Sequence, residues 1–596
     1  MPRMQSGVWR HFTPAIKDGR ETFMCNYCAR TYTKNATKMQ MHLDKCKGYC
    51  VVSQQSPEPD GSSADASIPV PSFPFSPSAA PGGEFLIDSV DQRSQAYADE
   101  CLARAAYATS SPLTLTDNVY WKRFFSVLRP AYCPPTAADL SSHLLDCEYD
   151  RVQNQVHDAI GKADCVTVIC SGWSNTNETG TIVYVVATPV PLLYKCTNMK
   201  SHASASIAEE LKEIINEVGP QKVFAVVTDD APEMKAAWAQ VEEAFPHVSA
   251  IGCTAFGIQQ LFGDVVEQPS IKALCSRAEQ VVRYVREQKL SEEISRHRPT
   301  TKIRNHTSNG GTLALAGGSD RIGVLSMFSS LLEGQTSLQE MAISPTLDIE
   351  ASIRATLQDP AFWKGLISSH DLLYTIRNYI DYMKRDDTAL SGVVDMFSQL
   401  RYHIGATLSG SVLHGTEQKA VLASLDKCQE FCVKPIHAAA YMLDPKYVGQ
   451  QTLSGEQINS AYYVISNLSH HLNLDAGKVL ASFARFSAKE GLWKGEGIWS
   501  SCQHVSASTW WKGLCSSEPL SAVASAILQI PPTTGACESL RSRFGSTEVE
   551  GPLSADRVQK LMAVQVNLNL LDPSECEYAL LDSEEEKKDL FQSETQ

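Results

Sequence analysis

The pattern of apolar and polar positions predicts a central sheet flanked by helices. Short runs rich in β-branched residues, bounded by polar or glycine-containing turns, are typical of strands. Five such runs occur, at 165–170, 181–188, 192–199, 222–229 and 248–253. Apolar residues recur instead with a helical period at 203–218 and 232–244. The resulting order, βββαβαβ, predicts a mixed sheet with helices packed on it.

Helical periodicity also dominates the chain on both sides of this region. Residues 93–160 form a predicted helical preface, which opens with a helix at about 92–109. Residues 271–505 have the pattern of helices joined by polar loops. Further helical stretches lie between 520 and 571, around a proline break at 531–532. The fold class expected from the whole pattern is therefore α/β plus all-α.

Length and composition divide the chain further. At 596 residues it exceeds a single hydrophobic core, so several domains are expected. Residues 51–92 are dense in Ser, Pro, Gly and Ala and predict a disordered linker, whereas 576–596 form a predicted acidic tail. The sequence has no apolar run of about 18 residues and no secretory leader. Its 18 scattered cysteines fit a reducing, intracellular compartment.

Three cysteines and one histidine near the start have the spacing of a four-ligand zinc site, Cys25-x₂-Cys28 and His42-x₃-Cys46. A Cys-x₂-Cys knuckle supplies two thiolates without backbone strain, and residues four apart share one face of a helix predicted at 35–45. The sequence therefore predicts a small ββα finger at 1–50 whose Zn²⁺ supplies much of the folding free energy. The alternative is chance proximity in a chain with 18 cysteines.

The same segment resembles a BED-type zinc finger. The resemblance covers residues 7–47 and includes the aromatic lead-in VWRHF at 8–12 and all four ligand positions. Residues 1–50 hold nine Lys and Arg against three acids, a net charge of +6, while the whole chain carries −15. Such a local basic charge indicates contact with the phosphate backbone of double-stranded DNA. By analogy with other zinc fingers, the helix would present Lys34, Asn35 and Lys38 to the major groove.

Landmarks in the rest of the chain resemble hAT-superfamily transposases. They are SGWSN at 171–175, TDDA at 228–231, GCTAF at 252–256, HAAAYMLDPKY at 437–447, WW at 510–511 and TGACE at 534–538. The likeness runs in patches from about 110 to 572. It implies an RNase H-like sheet interrupted by a large all-helical insertion. In that family, three carboxylates at strand ends and on a late helix gather two divalent metal ions.

The three carboxylate positions of the family are only partly kept. Matched residue by residue, the second Asp falls on Asp229 and the Glu on Glu538, but the first Asp falls on Ser171. A serine hydroxyl has no negative charge and cannot bridge two cations, so strand transfer is expected to be lost. Asp164 or Asp230 could replace the missing acid in principle. However, Asp164 precedes the first strand, and Asp230 should point away from Asp229.

Other family positions have changed as well. The Cys-x-x-His of the family is CTAF at 253–256, its Thr-Arg-Trp is DRI at 320–322, and Ser539 stands where the family has Arg. The acids that remain have a simpler interpretation, because an Asp after a strand often caps the next helix, here the one beginning at Pro232. Catalytic residues are therefore expected only as vestiges: Ser171, Asp229 and Glu538.

Three further features have competing interpretations. Cys428, Cys432 and His437 either bind a metal or pack in a helical core, and the core is favoured because Cys sits among Leu and Phe on one helical face. The pair at 470–471 (HH) is expected to be a solvated helix end. An apolar stripe in the last helix either packs on its own sheet or continues across a homodimer interface, as the resemblance implies. Its members are Val558, Leu561, Met562, Gln565, Val566 and Leu568.

Together these features divide the chain into seven segments. They are a BED-type finger at 1–50, the linker at 51–92, the helical preface at 93–160, an RNase H-like first part at 161–270, the helical insertion at 271–505, the last RNase H-like part with the dimerisation region at 506–575, and the tail at 576–596. The expected protein is a nuclear, zinc-dependent DNA-binding homodimer derived from a hAT transposase, catalytically inactive and used in transcription or chromatin regulation. The alternatives are an active hAT-type transposase and a nuclear protein-interaction scaffold.

Overall fold

The computed structural model divides the chain into two compact units, Met1–Leu86 and Ile87–Gln596. The residues it describes are 12–17, 20–25, 31–32, 38, 42, 90–174, 180–188, 190–199, 204–288, 323–345, 347–385, 387–450, 452–546 and 554–571. No helix within these ranges is long and apolar enough to cross a membrane. The predicted acidic tail and nearly all of the predicted linker lie outside them.

The first unit contains an antiparallel sheet of three strands, β1 (Phe12–Lys17), β2 (Arg20–Cys25) and β3 (Thr31–Tyr32). β1 and β2 form a hairpin in which Phe12 is opposite Cys25, and β3 pairs with the last part of β2. The side chains of Phe23 and Cys25 are buried. Lys38 and His42 have helical backbone, as the helix predicted at 35–45 requires.

The second unit is built on a five-stranded mixed sheet. Its strands are β4 (Val166–Ser174), β5 (Gly180–Ala187), β6 (Pro191–Met199), β7 (Val223–Thr228) and β8 (Ser249–Gly252). They are ordered β6-β5-β4-β7-β8, antiparallel from β6 to β4 and parallel from β4 to β8. All five predicted strands and the mixed sheet are confirmed, although β4 continues past its predicted end. Every residue of β7 is buried, because a parallel strand inside a sheet is covered on both faces.

One face of this sheet is covered mainly by helices from the first part of the unit. The helices of this part are α1 (Gln92–Ala108), α2 (Val119–Leu128), α3 (Ala137–Leu140), α4 (His143–Lys162), α5 (Ser204–Val218) and α6 (Pro232–Ala244). All except α2 contribute to a core with one set of alternating strand residues. α5 and α6 confirm the two helices predicted between the strands. Pro232 opens α6, where its missing N–H group has no helical partner to lose.

A second group of helices forms a core of its own, without any strand. Its members are α7 (Thr254–Val266), α8 (Pro269–Glu287), α9 (Gly323–Glu333), α10 (Gln335–Ile343), α11 (Ala351–Gln358), α12 (Pro360–Met383), α13 (Gly392–Leu408) and α14 (Gly415–Cys432). Glu417 fixes α14 to the start of α8, because its carboxylate accepts hydrogen bonds from the backbone N–H and the hydroxyl of Ser270, both at 2.7 Å.

The remaining helices pack on the other face of the sheet, and the last of them also contributes to the core of the first face. They are α15 (Pro435–Leu443), α16 (Gly455–His471), α17 (Ala476–Ser487), α18 (Glu496–Ser500), α19 (Ala507–Leu514), α20 (Leu520–Leu528), α21 (Gly535–Ser546) and α22 (Ala555–Leu571). Their core uses the strand residues that alternate with those of the first face. The predicted insertion at 271–505 thus contains helices of two kinds, some around their own core and some on the sheet.

The last helix, α22, lies along the edge strand β6. The side-chain amide of Asn567 accepts a hydrogen bond from the backbone N–H of Leu193 at 2.9 Å and donates one to its carbonyl at 2.8 Å. Every residue from 561 to 568 is buried within the chain. Of the two interpretations of the apolar stripe, packing on its own sheet is therefore the one observed. Of the members of the stripe, only Val558 is half-buried and not fully buried.

The cysteines and the histidine considered as metal ligands are packed in cores. Cys428 and Cys432 lie in the core of the second helix group, where the Cys432 sulfur leaves no room for a Cβ on Gly257. His437 is fully buried on α15, and its Nδ1 accepts a hydrogen bond from the backbone N–H of Lys434 at 3.1 Å. The packing role favoured from the sequence agrees with these positions.

The prediction for the histidine pair was wrong for one of its members. His470 is exposed, but His471 donates from Nε2 to the carbonyl of Gln221 at 3.0 Å. Its ring also stacks on His247, with centroids 3.6 Å apart. His471 therefore joins the end of α16 to the loops beside β7 and β8 instead of projecting into water.

Candidate functional site

Ser171 and Asp229 meet because β4 and β7 are parallel neighbours. The ladder pairs Cys170 of β4 with Thr228, the last residue of β7. The next residue on each chain segment is therefore Ser171 and Asp229. The Ser171 hydroxyl donates a hydrogen bond to Asp229 Oδ2 at 3.1 Å. The parallel register thus brings these two side chains into contact.

The carboxylate of Asp229 is almost fully occupied by donors from the protein. In addition to the Ser171 hydroxyl, Oδ2 accepts the backbone N–H of Gly172 at 3.0 Å, and Oδ1 accepts that of Ala231 at 3.1 Å. The residue is only 8% exposed. Three donors around a buried carboxylate stabilise its negative charge without a metal ion. Asp229 therefore stabilises the turn between β7 and α6. The capping role expected from the sequence was wrong, because the N-cap of α6 is Ala231 and no side chain caps this helix.

Glu538 is brought to the same region by α21. Cys537, its neighbour, is buried with its sulfur 3.9 Å from the carbonyl of Ile169 on β4, and burial raises the pKa of this thiol. Glu538 itself is partly exposed, and its Oε2 lies 3.4 Å from Nζ of Lys384. Lys384 is the C-cap of α12, in the second helix group. The third acid of the site thus forms a partly exposed ion pair with a lysine of the protein.

The two acids that could replace the missing one are not placed to do so. Asp164 precedes β4, at the opposite end of the strand from Ser171. Asp230 lies next to Asp229 in sequence but faces Lys235, with Oδ2 and Nζ 3.7 Å apart. Burial raises the pKa of Asp230, and the nearby Lys235 only partly opposes this. Both observations agree with the expectation that neither restores the family's first carboxylate.

The altered family positions around the site have structural roles where the structure describes them. Cys253 is fully buried, and its sulfur accepts the backbone N–H of Thr534 at 3.2 Å. Phe256 packs against the core of the second helix group. The Ser539 hydroxyl donates to the carbonyl of Ala536, one turn back along its own helix. The segment at 320–322 lies outside the described residues.

The residues present do not fit a pair of divalent metal ions. Such a site needs several carboxylate oxygens directed at the same two cations. Here one position is a neutral hydroxyl, Asp229 is held by three donors, and Glu538 pairs with a lysine. Among the residues that the structure describes, no group of three or more His, Cys, Asp or Glu could hold a metal ion.

The zinc and DNA-contact residues are only partly within the described part of the chain. Cys25 is buried at the end of β2, His42 is half-buried, and Lys38 is exposed. A buried thiol at a strand end and a half-buried imidazole on helical backbone are suitable donors for zinc. Cys28, Cys46, Lys34 and Asn35 lie outside the described residues. The ligand set and the DNA contacts therefore stay predictions.

Three groups at the carboxylate site were not anticipated from the sequence. The backbone N–H groups of Gly172 and Ala231 bind Asp229, and Lys384 pairs with Glu538. The two N–H donors belong to the SG and DDA motifs themselves, and only the second lies in a turn after its strand, because Gly172 is still within β4. Lys384 is far from Glu538 in sequence and stands in no motif, so only the packing of α12 near α21 brings the pair together.

Comparison with known proteins bears on the origin of this site. Residues 135–281 match the family model described as "Domain of unknown function (DUF659)". The matched segment is thus similar to a domain of the hAT-like, transposase-like kind. It runs from the start of α3 into α8 and includes Ser171 and Asp229 but not Glu538. A comparison with curated proteins gives no significant match.

Proposed function

We propose that this protein is a catalytically inactive, hAT-transposase-derived DNA-binding protein with an RNase H-like body. The observation that carries the proposal is the hydrogen bond from Ser171 to Asp229, at a place where hAT transposases have two carboxylates. The strand order of the sheet and the transposase-like domain at 135–281 support the fold and the origin.

Loss of DNA cleavage follows from the charges at this site. Two-metal phosphoryl transfer needs acids that hold two cations about 3.5–4 Å apart. A cation beside Asp229 would have to displace the N–H groups of Gly172 and Ala231, and a cation bound by Glu538 would have to displace the ammonium of Lys384. The hydroxyl of Ser171 offers no charge in return. We therefore place the present role of the body in assembly and partner binding.

DNA binding is assigned to the finger at the start of the chain. Its proposed zinc ligands are Cys25, Cys28, His42 and Cys46, and bound Zn²⁺ would supply the free energy that so short a segment lacks. The proposed contacts with double-stranded DNA are Lys34, Asn35 and Lys38. The net charge of +6 over residues 1–50, in a chain of −15, supports this assignment.

The protein is also proposed to be a homodimer, with an interface different from the one expected. The stripe on α22 is buried in its own chain, whereas α2 exposes six large apolar side chains. They are Val119, Tyr120, Trp121, Phe124, Val127 and Leu128. Together they expose on the order of 700 Å², close to the ~800 Å² that each partner contributes to a standard interface. Self-association through α2 would give two linked fingers a higher effective concentration on DNA.

Light scattering after size exclusion tests this interface. The double variant Phe124→Ser/Val127→Ser should have half the molar mass of the unaltered chain, because it removes two exposed apolar anchors while leaving the buried Phe125 in place. The matched control is Lys122→Ser, an exposed residue of the same helix, which should stay dimeric. A dimeric double variant would exclude α2 as the interface.

The natural setting of such a protein is the nucleus, in transcription or chromatin regulation.

The central experiment incubates the full-length protein with a random-sequence duplex library in Mg²⁺ or Mn²⁺, with and without a zinc chelator. We expect selection of a short motif that chelation abolishes, and no nicks. Nicks that disappear in Asp229→Ala would instead identify an active transposase.

Two variants separate DNA binding from the scaffold alternative. Lys34→Gln/Lys38→Gln should weaken binding at all sequences and reduce its salt dependence, because phosphate contacts release counterions. Lys122→Gln serves as the matched control, since it removes an exposed positive charge in the second unit. Full retention of DNA binding in the double variant would favour a finger that contacts something other than DNA.

A further inference from the structure

A small pocket lined by tyrosines opens at the surface of the second helix group. Tyr379 and Tyr382 come from the end of α12, and Tyr447 ends a short turn of 3₁₀ helix after α15. The rest of the lining comes from Gly392, Asp395 and Met396 of α13 and from the amide side chains of Asn378 and Gln399. We call this pocket the tyrosine cage. Its volume is about 230 Å³.

Gly392 provides the space between two of the rings. A Cβ placed on it would lie 3.5 Å from the phenol oxygen of Tyr447 and 3.8 Å from that of Tyr382. Both phenols therefore converge on the first turn of α13. These distances are ordinary van der Waals contacts, and a helix start tolerates alanine well, so the glycine is not required for the fold. Its absence of a side chain leaves the pocket open.

Contacts outside the cage hold the rings in place. Tyr447 stacks on the buried ring of Tyr441, with centroids 4.5 Å apart. The hydroxyl of Tyr379 is 2.7 Å from Nδ1 of His403. These contacts fix the orientation of two rings before any ligand binds. Such a pocket loses little side-chain entropy on binding, which favours affinity for a small head group.

The cage carries negative potential. Aromatic faces have a negative quadrupole, and Asp395 adds a carboxylate whose Oδ2 accepts a hydrogen bond from Gln399 at 2.6 Å. Burial and then the charges of Asp444 and Asp395 raise the pKa of Tyr447, so its phenol stays protonated and neutral. Cζ of Arg385 lies 6.0 Å from the centroid of the Tyr382 ring, but its positive charge is paired with the carboxylate of Asp387. The surroundings therefore suit a cation and oppose an anion.

We propose that the tyrosine cage binds a quaternary or methylated ammonium group. An unmodified lysine would bring three N–H donors into the pocket and lose their hydration, whereas a trimethylammonium group has no N–H to satisfy and can place its methyl groups against the tyrosine rings. The volume is below the ~300–1,000 Å³ of pockets for whole small molecules, which fits a head group or a single side chain. This inference does not depend on DNA binding or on loss of catalysis.

Calorimetric titration of the full-length protein tests the proposal with four probes. Choline and a peptide bearing trimethyl-lysine are the two sources of the same head group. The same peptide with unmodified lysine, and 3,3-dimethylbutanol, which has the shape of choline without its charge, are the controls. Binding of choline or of the methylated peptide, at least about tenfold tighter than the matching control, is expected from a partly desolvated cation–π site. The relative affinities of choline and peptide identify the source.

Variants then assign binding to the cage. Tyr382→Leu and Asp395→Asn should each weaken binding about 5–10-fold, and Gly392→Ala should weaken it by narrowing the space while preserving the thermal transition. Tyr402→Leu is the matched control, because Tyr402 is an exposed ring of α13 outside the cage. Equal binding of the charged and uncharged probes, absence of binding by both cations, or unchanged binding in all three cage variants would overturn the proposal.

Discussion

Replacement of Ser171 by aspartate tests the argument about the carboxylate site most directly. In the unaltered chain the hydroxyl lies 3.1 Å from Asp229 Oδ2. An aspartate would bring a second negative charge to a similar distance, where two like charges repel by about 5 kcal/mol at an effective dielectric constant of about 20. Rotation of the new side chain toward water and partial protonation reduce this energy. We expect a net loss of about 1–3 kcal/mol in the free energy of unfolding near pH 7.5.

The pH dependence of the variant has a definite sign. Repulsion raises the pKa of one carboxyl of the new pair above its unfolded value of about 3.9. The folded variant then binds more protons than the unfolded chain above that pH, so its stability falls as the pH rises. The matched control is Ser171→Asn, which has the same shape without the charge. The melting temperature of Ser171→Asp should equal that of Ser171→Asn near pH 4 and should lie below it near pH 7.5.

Divalent cations complete the test. The Ser171→Asp variant has two carboxylates side by side, whereas the unaltered site has one carboxylate beside a hydroxyl. Mn²⁺ should therefore raise the melting temperature of Ser171→Asp only. At about 100 times its dissociation constant, the ion would recover about 2.7 kcal/mol. Differential scanning fluorimetry of the three proteins with and without Mn²⁺ measures this. A stabilisation of the unaltered protein equal to that of Ser171→Asp would refute the claim that the serine prevents metal binding.

Three other predictions concern stability. Asp229→Ala should cost about 1–3 kcal/mol in denaturant unfolding, because it leaves three donors without their acceptor. Burial opposes ionisation of Glu148, but hydrogen bonds from Arg151 and Arg104 lower its pKa. Its contribution to the stability of the fold is therefore lost as the pH falls. Glu148→Gln should flatten the decline in melting temperature below about pH 4.5. Burial lowers the pKa of His437 to about 3, so stability falls between about pH 6.5 and pH 3, and His437→Gln should reduce that fall in the same acid titration.

The sheet could be predicted from the sequence because its signal is local. Runs of β-branched residues between turns gave all five strands, and the chain order of those strands brought the ends of β4 and β7 together. The end of β4 was missed, since Gly172 interrupts the apolar pattern although the strand continues to Ser174. The strand continues through these residues because they pair with β5. The apolar pattern of one strand does not show which strand it pairs with.

The surfaces were predicted less well, because exposure depends on which elements meet. The period of α22 indicated one apolar stripe, yet its residues from 561 to 568 are buried all round, because the helix contributes to the cores on both faces of the sheet. In α2 the opposite occurs, and Phe125 alone among its large apolar side chains is buried. Both helices are apolar, so hydrophobic content by itself could not assign one to the core and the other to the surface.

The presence of Asp229 and Glu538 beside a serine has a physical explanation that does not involve catalysis. Asp229 is the acceptor for a hydroxyl and two backbone N–H groups at the turn between β7 and α6. Its loss would leave those buried donors unsatisfied, so folding alone is enough reason to keep it. Glu538 has a weaker structural reason, because its pair with Lys384 is partly exposed and surface pairs contribute about 0–1 kcal/mol. The fold therefore needs Asp229, hardly needs Glu538, and has a serine at the third position of the site. Of these three residues, only Asp229 resists substitution on grounds of stability.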